Sequence, residues 1–166
     1  PRGEKTKAVY PSYFINIQDE CSEHLSNCFS GFCLIFSCVF GIMQHDNLKK
    51  MQDSLVTVIS NSKNRSIFLH HLLNTFMDEF EFLKHVSTFD TENVLKPMAN
   101  QTDFQFHIFD ADLEYWFVES IPSQYDPRRK PIYLCLFHNG NHIVLISDYD
   151  KFCQKKKKFY CFFCSK

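Results

Sequence analysis

The sequence lacks an apolar run long enough to cross a membrane. Its longest apolar stretch, Phe29–Met43, has 15 residues and includes two serines and two glycines, whereas a membrane-spanning helix needs about 20 residues. A secretory leader is not predicted either, because residues 1–12 are charged and contain proline instead of an apolar segment. We therefore expect Phe29–Met43 to be a buried core helix and predict no membrane partner.

An excess of charge of either sign is also lacking. The chain has 18 Lys and Arg against 19 Asp and Glu, a net charge of −1, so there is no chain-wide electrostatic case for nucleic acid. The basic residues cluster instead at Lys155–Lys158 and Arg128–Lys130, and such runs are usually solvated faces. A hydrophobic fraction of 45% with 19 Phe predicts one folded domain with a real core.

Cysteine, by contrast, is plentiful, with eight residues in 166. Because no leader is predicted, we expect reduced thiols and a cytoplasmic or nuclear location, with a disulfide scaffold as the alternative. The chain begins at Pro1 without Met and stops soon after a Cys-x-x-Cys. We therefore expect a monomeric domain of a larger chain.

The hydrophobic pattern predicts helices followed by strands. The predicted helices are Phe32–Met43, Leu48–Ser60, residues 65–86, and Glu92–Ala99 with Asp90 or Thr91 as its cap. The predicted strands are Phe104–Phe109, Leu113–Glu119, Ile132–Phe137 and His142–Ser147, the last two joined by a turn that contains Asn139-Gly140. Residues 148–152 are expected to form a turn or short helix, and residues 159–163 a last strand or a zinc knuckle.

This order predicts an α+β fold in which N-terminal helices pack on a small antiparallel sheet. We divide the chain into an extended segment, residues 1–18, a main domain, residues 19–152, and a basic, cysteine-containing tail, residues 153–166.

One cysteine and one histidine suggest catalysis. Cys33 stands at the start of the predicted buried helix, where the helix N-terminus lowers a thiol pKa and its free N–H groups suit an oxyanion. His142 stands at the start of a late strand, and a general base must come from another element to face the sulfur. Cys28 is a rival nucleophile, although Gly31 would then fall inside its helix.

Four short segments resemble, in order and spacing, the ovarian-tumour (OTU) family of cysteine deubiquitinases. The resemblance covers about residues 28–148. The matching segments are Ser30-Gly31-Phe32-Cys33-Leu34-Ile35-Phe36-Ser37 for the nucleophile motif, His45 with Leu48-Lys49-Lys50 for the next helix, Glu92–Ala99 leading to Phe106–Phe109, and Asn141-His142 after the strand Ile132–Phe137.

The resemblance implies a papain-like, OTU-like fold that hydrolyses peptide or isopeptide bonds of ubiquitin or a ubiquitin-like modifier. Cys33 would be the nucleophile and His142 the base, while Gly31 and Phe32 would form the oxyanion hole. The substrate tail would lie between the loop at 87–91 and the turn at 138–142, and catalysis would need no cofactor.

The sequence departs from the family pattern at several positions. Ser30 and Phe32 replace the Asp and Asn of the nucleophile motif, and Val144 replaces the Asp or Asn that orients the histidine. Asn141 or Asp19 is expected to orient His142 instead. The alternative is an inactive OTU-like fold that serves as a protein- or nucleic-acid-binding module of a larger replication polyprotein.

The tail carries a second pattern. Cys161 and Cys164 form a Cys-x-x-Cys, which is half of a tetrahedral thiolate site, and Cys153 is a candidate third ligand. Zinc is therefore the expected metal there. The order of strand, Asn-His strand and lysine-rich Cys-x-x-Cys also resembles segments ahead of the protein-primed DNA polymerases of Polinton-type elements, which suggests a viral or transposon protein.

Overall fold

The computed structural model describes residues 11–16, 32–46, 53 and 65–164. The predicted helix Leu48–Ser60, Asp53 apart, lies outside these residues. The helices are α1 (Phe32–His45), α2 (Arg65–Glu79), α3 (Lys96–Gln101) and α4 (Tyr149–Lys156). The strands are β1 (Phe14–Ile15), β2 (Phe104–Asp110), β3 (Trp116–Ile121), β4 (Lys130–Phe137) and β5 (His142–Ile146). A 3₁₀ turn at Glu81–His85 and a π turn at Thr91–Leu95 complete the order.

The five strands form one mixed sheet in the order β1-β5-β4-β2-β3. The α+β class is confirmed, but the expected antiparallel sheet is wrong, because β2 and β4 run parallel while the other neighbours are antiparallel. The loop after β3 carries the chain back to the start of β2, where the Lys130 N–H donates to the Asp103 carbonyl at 2.7 Å. β4 therefore begins beside the start of β2 and follows the same direction.

Helix α1 lies against β4 and β5 and approaches the sheet closely at Gly41. A Cβ at Gly41 would lie 2.7 Å from Ile132 Cγ2 and 3.3 Å from Leu145 Cδ1, so no larger residue fits unless the Ile132 side chain moves. Near the end of the helix, Gln44 Nε2 donates to the Ser147 carbonyl, just beyond β5. α1 and β5 therefore run in the same direction.

The face of the sheet under α1, which we call the first face, is covered by a hydrophobic cluster. Its buried members are aliphatic, Phe, Met or Cys residues from α1, α2, the 3₁₀ turn, the π turn, α3 and the inner strands. The predicted central helix is thus confirmed as a core helix, with Ile35, Cys38 and Phe40 fully buried. Within the described ranges, the helices are too short or too polar to span a membrane.

The opposite face, which we call the second face, is covered by α4 and the tail. Its cluster joins Phe14, Phe109 and Phe152 to partly buried aromatic residues that include Tyr160 and Phe162. Both sides of the central strands are therefore buried, and β2 is buried along nearly its whole length.

Several element boundaries differ from the predictions. The helix predicted over 65–86 ends at Glu79 and continues as a 3₁₀ turn, and β3 begins at Trp116 because residues 111–115 form the turn of the hairpin. Asp90 does cap the next helical segment, accepting the Asn93 N–H at 2.7 Å. Residues 159–163 form no strand and end in a turn at 162–164.

Candidate active site

Cys33 is the second residue of α1 and is half-buried against the first face. The Ser37 hydroxyl donates to the Cys33 carbonyl at 2.7 Å, one helical turn earlier. The neighbouring Phe32 is buried and packs on Phe89 with ring centroids 4.7 Å apart. The start of α1 therefore contacts the 87–91 loop, which is one of the two segments between which the substrate tail was predicted to lie.

The N-terminal end of α1 offers hydrogen-bond donors. Phe32 and Cys33 are its first two residues, and the first N–H groups of a helix have no carbonyl partner within the helix. Such groups stabilise negative charge, on a thiolate or on an oxyanion. Gly31, the other predicted oxyanion residue, lies outside the described residues, as does the rival nucleophile Cys28.

His142 is the first residue of β5 and is 9% exposed. Its Nε2 lies 2.6 Å from Asn16 Oδ1. Because an amide oxygen only accepts, this hydrogen bond places the imidazole proton on Nε2 and leaves the lone pair on Nδ1. An amide that orients a histidine in this way is the third member of Cys-His-Asn sites.

Asn16 is the residue that contacts His142 Nε2, and it was not among the residues predicted to orient the histidine. Of the two predicted residues, Asn141 is exposed in the 138–141 turn and donates its N–H to the His138 carbonyl, and Asp19 lies outside the described residues. Asn16 directly follows β1, which pairs with β5. The apolar residues Tyr13-Phe14-Ile15 were the available signal, since a short strand beside β5 brings the next side chain toward the histidine.

Cys33 and His142 lie at the same end of the sheet. Gly41 contacts Leu145; from there Cys33 is eight residues back, about 12 Å along the helix, and His142 is three residues back, about 10 Å along the strand. The parallel course of α1 and β5 therefore brings the helix start to the strand start.

The two side chains attach to different faces of the sheet. His142 pairs with Phe137, which belongs to the second face, and cross-strand partners share a face. α1 covers the first face. However, β1 pairs only with Leu145 and Ile146, so the His142 end of β5 extends beyond the β1 pairing. A Cys33–His142 dyad therefore has to form around the edge of β5 at its His142 end.

Cys38 and Cys135 are fully buried, and burial raises the pKa of both thiols far above the ordinary value. A neutral buried thiol is a poor nucleophile and a poor metal ligand. The prediction that these two cysteines belong to the core is confirmed.

The tail cysteines divide into two groups. Cys161 and Cys164 are exposed, and the Cys164 N–H donates to Cys161 Sγ at 3.4 Å. The hydrogen bonds from Cys164 lower the pKa of the Cys161 thiol. Cys153 is instead buried in the second face, which raises its pKa. Among residues 11–16, 32–46, 53 and 65–164, no three metal-ligating side chains come together.

Comparison with known proteins adds no relative: family models, curated proteins and solved structures all gave no match to this chain.

Proposed function

We propose that this chain is a papain-like cysteine peptidase of the OTU type, which hydrolyses peptide or isopeptide bonds of ubiquitin or a ubiquitin-like modifier. The observation that carries the proposal is the hydrogen bond between His142 and Asn16 at the end of the sheet where α1 begins, with Cys33 as its second residue. A thiol at a helix start and an amide-oriented imidazole are the parts that a Cys-His-Asn mechanism needs.

In this mechanism each group has one role. His142 Nδ1 takes the Cys33 proton, and the thiolate attacks the carbonyl carbon to form a tetrahedral intermediate. The N–H groups of the first turn of α1 bind the oxyanion. The intermediate expels the amine, which His142 protonates, and leaves a thioester on Cys33. Water, deprotonated by His142, then hydrolyses the thioester and restores the thiol.

Asn16 would act as a positioning residue. By accepting the Nε2 proton it holds the imidazole in the tautomer whose Nδ1 is basic, and it stabilises the imidazolium that forms during attack. This role removes the difficulty raised by Val144, which is fully buried in the second face and has no polar atom.

A ubiquitin probe with a C-terminal electrophile tests the proposal. We expect an adduct with the wild-type chain, no adduct with Cys33→Ala, and adduct formation slowed at least about tenfold by His142→Ala and by Asn16→Ala. Asn141→Ala is the matched control and should keep the wild-type rate. The pH–rate profile separates positioning from folding, because Asn16→Ala should shift the profile while leaving the unfolding midpoint nearly unchanged.

Two outcomes would overturn parts of this proposal. An adduct that survives Cys33→Ala and disappears in Cys28→Ala would transfer the nucleophile role to Cys28. Absence of any adduct with ubiquitin or ubiquitin-like probes, from a folded wild-type chain, would favour the inactive binding module instead.

We also propose that Cys161 and Cys164 supply half of a structural zinc site. Two exposed thiols with two residues between them, and with a lowered pKa at Cys161, suit a thiolate-bound metal. Metal analysis after dialysis should find zinc in the wild-type chain and none after Cys161→Ser. Equal zinc content in both forms would reject the site, and Cys135→Ser serves as the control.

A further inference from the structure

The tail is far more basic than the rest of the chain. Residues 151–166 contain six lysines and no acidic residue, although the whole chain has a net charge of −1. Four of the lysines are consecutive, from Lys155 to Lys158. The positive charge is therefore concentrated at α4 and the segment that follows it.

Alternate residues of the tail are anchored to the second face. The Tyr160 ring stacks on Phe117 with centroids 4.1 Å apart, and the Phe162 ring stacks on His107 at 3.9 Å. His107 lies on β2 and Phe117 lies on β3. The tail is consequently held on the sheet at Tyr160 and Phe162.

The aromatic residues on either side of this anchored pair are exposed. Phe159 is 72% exposed and Phe163 is 85% exposed. Trp116 on β3, which lines the same cavity as Phe159, is 57% exposed. An aromatic ring is normally buried, because exposing its apolar surface to water is unfavourable. Three exposed rings in and near one basic segment therefore need an explanation.

Lysine ammonium groups lie directly over aromatic rings in this region. Lys158 Nζ is 4.2 Å from the centroid of the Trp116 ring, and Lys156 Nζ is 3.6 Å from that of Tyr115. On the same hairpin the carboxylates of Asp110 and Asp112 accept backbone N–H groups. The surface thus presents positive charge and flat apolar rings together.

We propose that this lysine–aromatic surface, formed by Trp116, Lys156, Lys158, Phe159 and Phe163, binds single-stranded nucleic acid. Ammonium groups contact phosphates, and exposed rings stack on bases, which are accessible in single strands and covered in a duplex. Membrane binding fits less well, because the rings are interspersed with lysines and do not form one apolar stripe. The proposal uses neither Cys33 nor His142.

Trp116 is the only tryptophan of the chain, so its fluorescence reports directly on the surface. Titration with an oligothymidylate should quench this fluorescence to saturation, and the anisotropy of a labelled oligonucleotide should give the same affinity. With one phosphate contact for each of the two lysines, the affinity should fall about sevenfold between 50 and 200 mM salt. A duplex of equal length should bind more weakly.

Variants then separate the two contributions. Lys156→Gln with Lys158→Gln should weaken binding about tenfold or more and flatten the salt dependence. Phe159→Ala and Phe163→Ala should each weaken binding at least about fivefold and leave that dependence unchanged. Lys84→Gln and Phe68→Ala, on exposed residues of the other face, are the matched controls and should bind as the wild type does.

Three results would overturn the proposal: no quenching and no anisotropy change in 50 mM salt, equal binding of duplex and single strand, or unchanged affinity in the lysine and phenylalanine variants. Tighter binding to vesicles that contain anionic lipid than to the oligonucleotide would reject it in favour of a membrane surface. The adduct assay with the ubiquitin probe is independent of each of these measurements.

Discussion

The two faces of the sheet bury their residues in different ways. The first face is a continuous hydrophobic cluster under α1 and α2. Ser37, a buried polar residue of α1, donates its hydroxyl proton to the Cys33 carbonyl within the helix. The second face is aromatic and polar. There His107 Nδ1 lies 2.6 Å from the Ser120 hydroxyl, and Tyr133 stacks on Tyr149 at 4.0 Å.

This difference separates stability from chemistry. The first face depends on packing, which responds to lost volume and hardly to pH. The second face contains groups that titrate, and its cover includes a tail held by only a few rings. We expect substitutions on the two faces to differ both in the size of their effect and in its pH dependence.

The largest effect should come from the first face. Phe40 is fully buried at the centre of α1, and Phe40→Ala should lower the free energy of unfolding by about 3–5 kcal/mol. Denaturant unfolding measures this change. Phe159→Ala, at an exposed position, is the matched control and should change stability by no more than about 0.5 kcal/mol. A loss below about 1 kcal/mol for Phe40→Ala would contradict the buried position of α1.

A pH-dependent effect should come from the second face. Burial lowers the pKa of His107 to about 4, while the unfolded chain binds this proton near 6.5. Between these values the unfolded state holds more protons, so stability should fall as the pH drops from about 6.5 toward 4, by up to about 3 kcal/mol.

Urea unfolding at several pH values checks this prediction. His107→Gln should remove most of the dependence, whereas His85→Gln, at an exposed position, should retain it. An equal pH dependence of stability in both variants would show that the pKa of His107 in the folded state is close to its ordinary value.

The smallest effect should come from the tail. Phe162 covers His107 but is itself half-buried, so Phe162→Ala should cost about 1–2 kcal/mol. By admitting water it should also raise the pKa of His107 toward its ordinary value, which an NMR titration of the imidazole measures. Phe163→Ala is the control. An unchanged His107 titration would mean that the tail contributes little to its burial.

Most elements of the fold were predictable because their signals are local. The apolar run that became α1, the Asp90 cap, the alternating pattern of β2 and the Asn139-Gly140 turn each depend on neighbouring residues only. The parallel pairing of β2 with β4 was not predictable in this way. It depends on which side of β2 the chain returns to, and no local pattern encodes that choice.

The candidate site was predictable in part. Cys33 and His142 could be chosen because a helix start and a strand start are visible in the sequence. Asn16 could not be chosen with certainty among the polar residues near the N-terminus, because its role comes from the pairing of a two-residue strand with β5. Likewise, alternation in β2 assigns Gln105 and His107 to a polar face, yet both are buried.

Strand β1 before α1 and helix α4 after β5 depart from the predicted order of helices before strands. The central apolar helix, the position of α1 to α3 ahead of β2 to β5, and the basic tail with its Cys-x-x-Cys could be read from the sequence alone. These follow from composition and periodicity, which act over a few residues. The tertiary structure decided which groups meet: α1 parallel to β5, Asn16 beside His142, and the tail rings on the second face. Contacts between distant residues depend on topology and on the burial that competing surfaces achieve, so only the folded chain specifies them.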